Sequence, residues 1–125
     1  MKRWAALSIS SLVAQAAFAH HSTSMYDRGS AVTIDAEVVE FRWVNPHSNL
    51  TVVDTSDASM KTSSIEMSSP GVLTRSGWNK RTFNPGDKIR LTFGPLRNGD
   101  AGGIFLEATL ADGSVMTYST ELPTE

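Results

Sequence analysis

The three histidines are the residues of this chain best suited to chemistry, and their positions point to metal binding. His20 and His21 are adjacent near the N-terminus, and His47 follows Asn45-Pro46. A chain that begins at His20 carries an α-amine and an imidazole on one residue, and together these nitrogens can chelate a metal ion. His47 could supply the third nitrogen of a T-shaped histidine brace. Such donors favour Cu(II) most strongly among the divalent first-row ions, and Zn(II) is the weaker alternative.

The first 19 residues explain how the chain could come to begin at His20. Lys2 and Arg3 precede a short, mostly apolar segment, and Ala17-Phe18-Ala19 forms an A-x-A cleavage site. This pattern is typical of a secretory signal peptide, and the segment is too short to span a membrane. We therefore expect residues 1–19 to be a cleaved signal peptide. The mature protein would be periplasmic, although the pattern also permits release from the cell.

Composition narrows the function classes. The chain has 125 residues, 11 basic and 13 acidic, with a formal net charge of -2 and no cysteine. A nucleic-acid binder normally has a basic excess, so that class is not expected. The missing cysteines exclude disulfides, thiolate metal sites and cysteine nucleophiles. No G-x-S-x-G, H-E-x-x-H or P-loop motif occurs, so we predict a protein that is not an enzyme.

Alternating apolar residues predict a mature chain made of short strands. Residues 20–30 form a polar N-terminal arm, residues 31–120 one β-domain and residues 121–125 a polar tail. In the first strand, apolar residues occupy even positions from Val32 to Val38, whereas Phe41 and Trp43 occupy odd ones. A β-bulge near Val39-Glu40 would return both aromatic rings to the core face. A long, bent first strand of this kind is what a small barrel needs in order to curl.

The remaining elements favour an OB-fold-like barrel. Two strands follow over residues 50–55 and 60–67, and Ser69-Pro70 predicts the start of a short helix. Further strands follow after Asn84-Pro85-Gly86-Asp87 and after the glycine-rich loop 98–103, and Asp112-Gly113 predicts a hairpin into a last short strand. The predicted fold is all-β, a small barrel of five to six strands with one short helix between the third and fourth strands, as in the OB-fold. A small open β-sandwich is the alternative.

The OB-fold arrangement suggests a ligand face. In that fold, the loops after the first and fourth strands flank the binding surface. Here those loops carry Asn45 and His47 on one side and Arg97 on the other, so His47 and Arg97 could contact one ligand. Trp78 could offer a stacking surface. Alternatively, Asn45 and His47 bond to their own turn, and Trp78 packs on the barrel rim.

Distance is the main constraint on the metal hypothesis. The first strand has about 13 residues, or roughly 40 Å at 3.3 Å per residue. The N-terminal arm reaches about 36 Å when extended. His20 could therefore meet His47 only if the arm were nearly extended and the strand coiled. A site made by His20 and His21 alone is easier to build and less specific, and a polar arm can also carry histidines that have no role.

The sequence resembles an uncharacterised family of small exported proteobacterial proteins. The resemblance rests on Ala19-His20-His21-Ser22, the aromatic Tyr26, Glu40-Phe41-Arg42-Trp43-Val44-Asn45-Pro46-His47, Ser69-Pro70, Gly77-Trp78, Pro85 to Lys88, and Leu110 to Gly113. It implies an exported β-barrel and supplies no activity or partner. One departure is Glu66-Met67-Ser68-Ser69-Pro70, where the family pattern has glycines after the glutamate.

Three functional hypotheses follow. The first is a periplasmic OB-like module that binds a small molecule, glycan or protein partner through Asn45, His47, Arg97 and Trp78. The second is a copper-binding protein that uses His20 and His21, alone or together with His47. The third is a structural accessory subunit of an envelope complex, whose interface would be an edge strand or an apolar patch.

Overall fold

The computed structural model describes residues 25–118, most of which lie in or between short strands. The predicted signal peptide, His20, His21 and the C-terminal tail lie outside these residues. The elements, in chain order, are a 3-10 turn at Arg28–Ser30, β1 Val32–Arg42, β2 Asn49–Asp54, β3 Thr62–Glu66, α1 Pro70–Arg75, β4 Lys88–Pro95, β5 Gly102–Thr109 and β6 Val115–Met116.

The first five strands form a closed barrel. Antiparallel pairing gives the order β3-β2-β1-β4-β5, and β5 then pairs in parallel with β3. The short strand β6 pairs with β5 outside the barrel. This closed five-stranded barrel, with its helix between β3 and β4, confirms the predicted OB-fold-like class and rules out the open sandwich.

The predicted bulge in β1 is confirmed. The register against β2 shifts between Val38 and Glu40, which leaves Val39 as the extra residue. Ala36 and Val38 are buried before the bulge, and Phe41 packs against the core after it. The N-terminal half of β1 pairs with β4, whereas Ala36 to Arg42 pair with β2. The bend therefore lets one strand serve both halves of the barrel.

Two glycines permit the barrel to close. Gly102 has φ +142, and a Cβ there would lie 2.4 Å from the Ser64 carbonyl oxygen. At Gly103 a Cβ would lie 2.2 Å from the Gly94 carbonyl oxygen and 2.6 Å from the Phe93 ring. Strands β3 and β4 thus approach β5 at a point where only glycine fits.

The helix begins as predicted, and the residues that follow it form part of an aromatic cluster. The Ser69 hydroxyl accepts a bond from the Val72 N–H, with Pro70 at the first helical position. After the helix, the buried Trp78 ring makes edge contacts with Phe83, Phe105 and Tyr118, at centroid separations of 5.3–5.7 Å. The buried core residues are Ala36, Val38, Leu50, Val52, Ile65, Met67, Leu73, Trp78, Phe83, Ile89, Leu91, Phe93, Phe105 and Ala108.

The described part of the predicted arm lies against the barrel. Tyr26 is only 6% exposed and forms a β-bridge with Leu96. The Asp27 N–H donates to the Pro95 carbonyl over 2.8 Å, and the Arg97 N–H donates to the Met25 carbonyl over 2.9 Å. From Met25 onward, the chain therefore follows the end of β4 as a short additional edge.

Candidate functional site

A pocket lies between the β1–β2 loop (residues 43–48) and the β4–β5 loop (residues 96–101), where the OB-fold pattern predicts a ligand face. Its volume is about 350 Å³, and we name it the His47 pocket. It is lined by Met25, Tyr26, His47, Ser48, Asn49, Ser64, Glu66, Leu96, Ala101 and Gly103. Four separate segments meet here: the N-terminal segment, the two loops and the end of β3.

The Glu66 carboxylate is the centre of the pocket. One oxygen, Oε1, lies 2.6 Å from His47 Nδ1, and the Tyr26 hydroxyl donates a hydrogen bond to the other oxygen, Oε2. Glu66 is the last residue of β3 and is partly buried, with 27% of its side chain exposed. One carboxylate thus joins the N-terminal segment to the β1–β2 loop.

The contact with Glu66 sets the orientation of the His47 ring. A carboxylate partner at Nδ1 favours a proton on that nitrogen, which leaves the Nε2 lone pair for a ligand in the neutral ring. The His47 side chain is 48% exposed, so the ring is accessible from outside. This carboxylate–histidine arrangement is the one that holds metal-binding histidines in position. It equally suits an imidazole that accepts a hydrogen bond from an organic ligand.

Tyr26 is held in its neutral form. Burial raises the pKa of its hydroxyl well above 10, and the hydrogen bond to Glu66 and the negative charge of that carboxylate raise the pKa further. The phenol therefore stays protonated at ordinary pH and acts as a donor to Glu66. It anchors the N-terminal segment rather than serving as a base.

Ser48 places a buried polar group without a partner in the wall of the pocket. Its side chain is 0% exposed, and among residues 25–118 its Oγ has no hydrogen-bond partner. The backbone is fixed on both sides, since its N–H donates to the Ser68 carbonyl and its carbonyl accepts from the Met67 N–H. Buried hydroxyls almost always have a partner, so this one carries an uncompensated desolvation cost in the wall of the pocket.

The other residues predicted to bind a ligand lie around the pocket rather than in its lining. Asn45 is exposed and joined to Pro46 by a cis peptide bond. The Arg97 guanidinium lies 3.9 Å from the Asp27 carboxylate. Trp78 is 2% exposed, and its indole N–H donates to the Thr117 carbonyl, so it offers no stacking face. Of the predicted set, His47 alone lines the pocket.

Sequence reasoning missed Tyr26, Ser48 and Glu66. Tyr26 lies 40 residues from Glu66, and neither has a nearby partner in the sequence that would suggest a site. Two of the three were nevertheless touched by the family comparison in the sequence: Tyr26 is its aromatic position, and Glu66 is the glutamate after which this chain departs from the family's glycines. That resemblance is the signal from which they could have been found.

The estimate of a long separation between the arm and His47 assumed a straight strand. In the barrel, β1 is coiled and β3 closes onto β5, so Tyr26 and His47 bind the two oxygens of one carboxylate. Within residues 25–118, no group of three or more histidine, cysteine, aspartate or glutamate side chains could hold a metal ion. A three-ligand site of that kind would therefore need a residue outside this range, such as His20, His21, Glu121 or Glu125.

The fold and the pocket define a small OB-fold-like barrel with a cavity of mixed polar and apolar lining between its β1–β2 and β4–β5 loops. The chain belongs to a family of unknown function, DUF6152, whose model matches residues 8–117. No curated protein and no solved structure matches the chain. Within residues 25–118, no helix has both the length and the apolar character needed to cross a membrane.

Proposed function

We propose that the protein is an exported, non-enzymatic binding module that takes its ligand into the His47 pocket. The observation that carries this proposal is the His47 ring, which Glu66 holds in the wall of the pocket with 48% of the His47 side chain exposed. The accessible edge of that ring can form a hydrogen bond with a bound molecule. A ligand with one hydrogen-bonding group next to an apolar part would match both this edge and the Met25, Leu96 and Ala101 side chains of the lining.

The size of the pocket limits the ligand. A volume of about 350 Å³ lies at the lower end of the range for small-molecule sites, roughly 300–1,000 Å³. It accommodates a small polar molecule, one sugar unit, or one side chain of a protein partner. Apolar contacts would come from Met25, Leu96 and Ala101, and a polar contact from His47.

A ligand screen observed by NMR tests this proposal. Monosaccharides, amino acids and small organic acids would be added to the isotopically labelled protein, and shifts of the Ser48 amide and the His47 ring would be followed. We expect at least one class to shift both groups together. Ala101→Trp should abolish the effect by filling the pocket mouth, whereas Ala111→Trp, in the distant β5–β6 turn, should leave it unchanged. Shifts that survive Ala101→Trp would contradict the proposed site.

Copper binding is our second candidate, and the path of the N-terminal segment favours it. His20 lies five residues before Met25, which lines the His47 pocket. Five extended residues reach about 17 Å, so the mature N-terminus is within range of His47. The brace proposed from the sequence therefore no longer requires an arm that runs the length of β1. Its ligands would be the His20 amine and ring, with His21 or His47 completing the set.

Titration calorimetry with Cu(II) and Zn(II) separates this candidate from the first. The protein beginning at His20 is compared with the same protein carrying one extra residue in front, which blocks chelation by the α-amine. Tight Cu(II) binding that is lost in the extended protein supports the site, and a further loss in His47→Gln assigns the third ligand. Equal weak binding to both proteins would contradict a brace.

A further inference from the structure

Met25 brings a thioether to the same pocket as His47. Its side chain is 51% exposed, which is unusual for an apolar residue whose backbone is fixed. The carbonyl of Met25 accepts a bond from the Arg97 N–H, and the next residue, Tyr26, is tied to Leu96 and Glu66. The position of Met25 at the pocket is therefore set by the barrel and not by a loose terminus.

The accessible side-chain oxygens of the pocket are already hydrogen-bonded, and the unpartnered Ser48 hydroxyl is buried out of reach of an ion. Both oxygens of Glu66 are engaged, one with His47 and one with Tyr26. Asn49 and Ser64 bond to each other, with Asn49 Nδ2 lying 2.8 Å from Ser64 Oγ. What the pocket offers to an ion is the His47 Nε2 lone pair and the Met25 sulfur.

We propose that the His47 pocket binds Cu(I) through His47 Nε2 and Met25 Sδ, with Glu66 as the residue that positions the imidazole. This inference rests on the copper hypothesis above and deepens it by naming the oxidation state and a sulfur ligand. Thioether sulfur is a soft donor that selects Cu(I), and imidazole binds copper in both states. Hard ions such as Ca²⁺ and Mg²⁺ require oxygen donors, and those are already hydrogen-bonded.

The negative charge of Glu66 would also stabilise a bound cation, in addition to holding the His47 ring in position. A bound Cu(I) ion brings one positive charge into a partly desolvated pocket, and the nearby carboxylate offsets the cost of burying that charge. Tyr26 assists indirectly, because its hydrogen bond fixes the second carboxylate oxygen. Mutation of a group that hydrogen-bonds to a metal-binding histidine typically lowers metal affinity by about 10–100-fold. We therefore expect Glu66→Gln to weaken copper binding by at least about tenfold.

Competition against a chromophoric Cu(I) chelator, under reducing and anaerobic conditions, measures the affinity directly. Met25→Leu conserves side-chain volume and removes the sulfur. We expect it to weaken Cu(I) binding by at least about tenfold and to change Cu(II) affinity by less than about twofold. Met60→Leu is the matched control, because Met60 is similarly exposed, at 53%, and does not line the pocket. X-ray absorption of the Cu(I)-loaded protein should show copper–sulfur scattering that Met25→Leu removes.

The outcomes separate this inference from the hypothesis on which it rests. If His47→Gln weakens Cu(I) binding and Met25→Leu does not, the sulfur assignment is overturned while a copper site at His47 stands. If neither variant changes Cu(I) affinity, the Cu(I) site at this pocket is overturned, whereas the Cu(II) site at the processed N-terminus is decided separately by the calorimetry. An equal loss in Met25→Leu and Met60→Leu would also overturn the assignment, since it would point to nonspecific thioether binding. Unchanged thermal unfolding of the variants confirms that the fold is intact.

Discussion

Glu66 contacts residues that are far from it in the sequence. Its two carboxylate oxygens bind His47 from the β1–β2 loop and Tyr26 from the N-terminal segment. The same contact orients the imidazole and fixes the segment that leads back toward His20. A single side chain at the end of β3 therefore decides both the chemistry of the pocket and which residues can reach it.

At this scale, the two tyrosines provide a direct test of the pocket in the metal-free protein. The chain has only Tyr26 and Tyr118, and burial is the main cause that raises the pKa of each. We expect less tyrosinate absorbance from the folded protein than from the denatured protein near pH 10, where unperturbed tyrosine titrates. In denaturant, both residues should titrate there. Tyr118→Phe isolates Tyr26, and a folded-state midpoint at about 10 in that variant would contradict the contact with Glu66.

Ser48→Ala should stabilise the protein. Removing a buried hydroxyl that has no partner also removes a desolvation cost, so we expect the free energy of unfolding to rise by about 1 kcal/mol. Denaturant unfolding measures this change. Ser64→Ala is the control, because that exposed hydroxyl bonds to Asn49 and its removal should cost less than about 0.5 kcal/mol. Marked destabilisation by Ser48→Ala would mean that the hydroxyl has a partner in the free protein.

At the scale of elements, the pocket depends on the parallel contact between β3 and β5. This contact closes the barrel and brings Glu66 opposite Ile104, next to the β4–β5 loop. The bulge at Val39 bends β1 so that the β1–β2 loop arrives at the same place. Neither loop would lie beside the other in an open sheet.

Gly103→Ala tests the close approach of β4 to β5 that the closed barrel requires. The added Cβ would lie 2.2 Å from a backbone carbonyl oxygen, and backbone cannot move aside as a flexible side chain can. We expect a loss of about 3 kcal/mol in the free energy of unfolding, at the upper end of typical overpacking costs. Gly71→Ala in α1 is the control, since its new Cβ meets nothing closer than 3.9 Å. That change should be neutral or stabilising by up to about 1 kcal/mol. Equal effects of the two substitutions would contradict the tight approach.

The whole molecule depends on one hydrophobic core without covalent support. The chain has no cysteine, and the aromatic cluster around Trp78 packs the helix, β5 and the segment after β6 together. Tyr118 belongs to this cluster. Tyr26 attaches the N-terminal segment to the barrel through its β-bridge with Leu96, just after β4. Ionisation of either phenol would therefore place a charge in a buried contact.

The stability of the whole fold should decrease at alkaline pH. Both tyrosines hold their protons more tightly in the folded state than in the unfolded chain. Their stabilising contribution is thus complete below about pH 10, the unfolded pKa, and is lost as the pH rises from there through the folded pKa. We expect the Tm to fall above about pH 10. The double variant Tyr26→Phe/Tyr118→Phe should fall less steeply, and identical slopes would contradict this account.

Local signals were sufficient for most of the fold. The bulge near Val39, the helix start at Ser69-Pro70 and the hairpin at Asp112-Gly113 each depend on a few neighbouring residues, through side-chain alternation, capping and turn preferences. The order of strands around one helix then indicated the barrel. The loops that flank the pocket could be predicted for the same reason, because their positions follow from strand order.

The composition of the pocket was decided by the tertiary structure alone. Tyr26, His47 and Glu66 meet because β1 is bent and β3 closes onto β5, and such contacts between distant residues leave no pattern in neighbouring positions. Trp78 shows the converse, since its residue type suggested a stacking surface but packing buried it in the core. The sequence determined the export signal pattern, the strands and the presence of histidines. Closure of the barrel determined which side chains share a cavity, since only long-range pairing brings those segments within bonding distance.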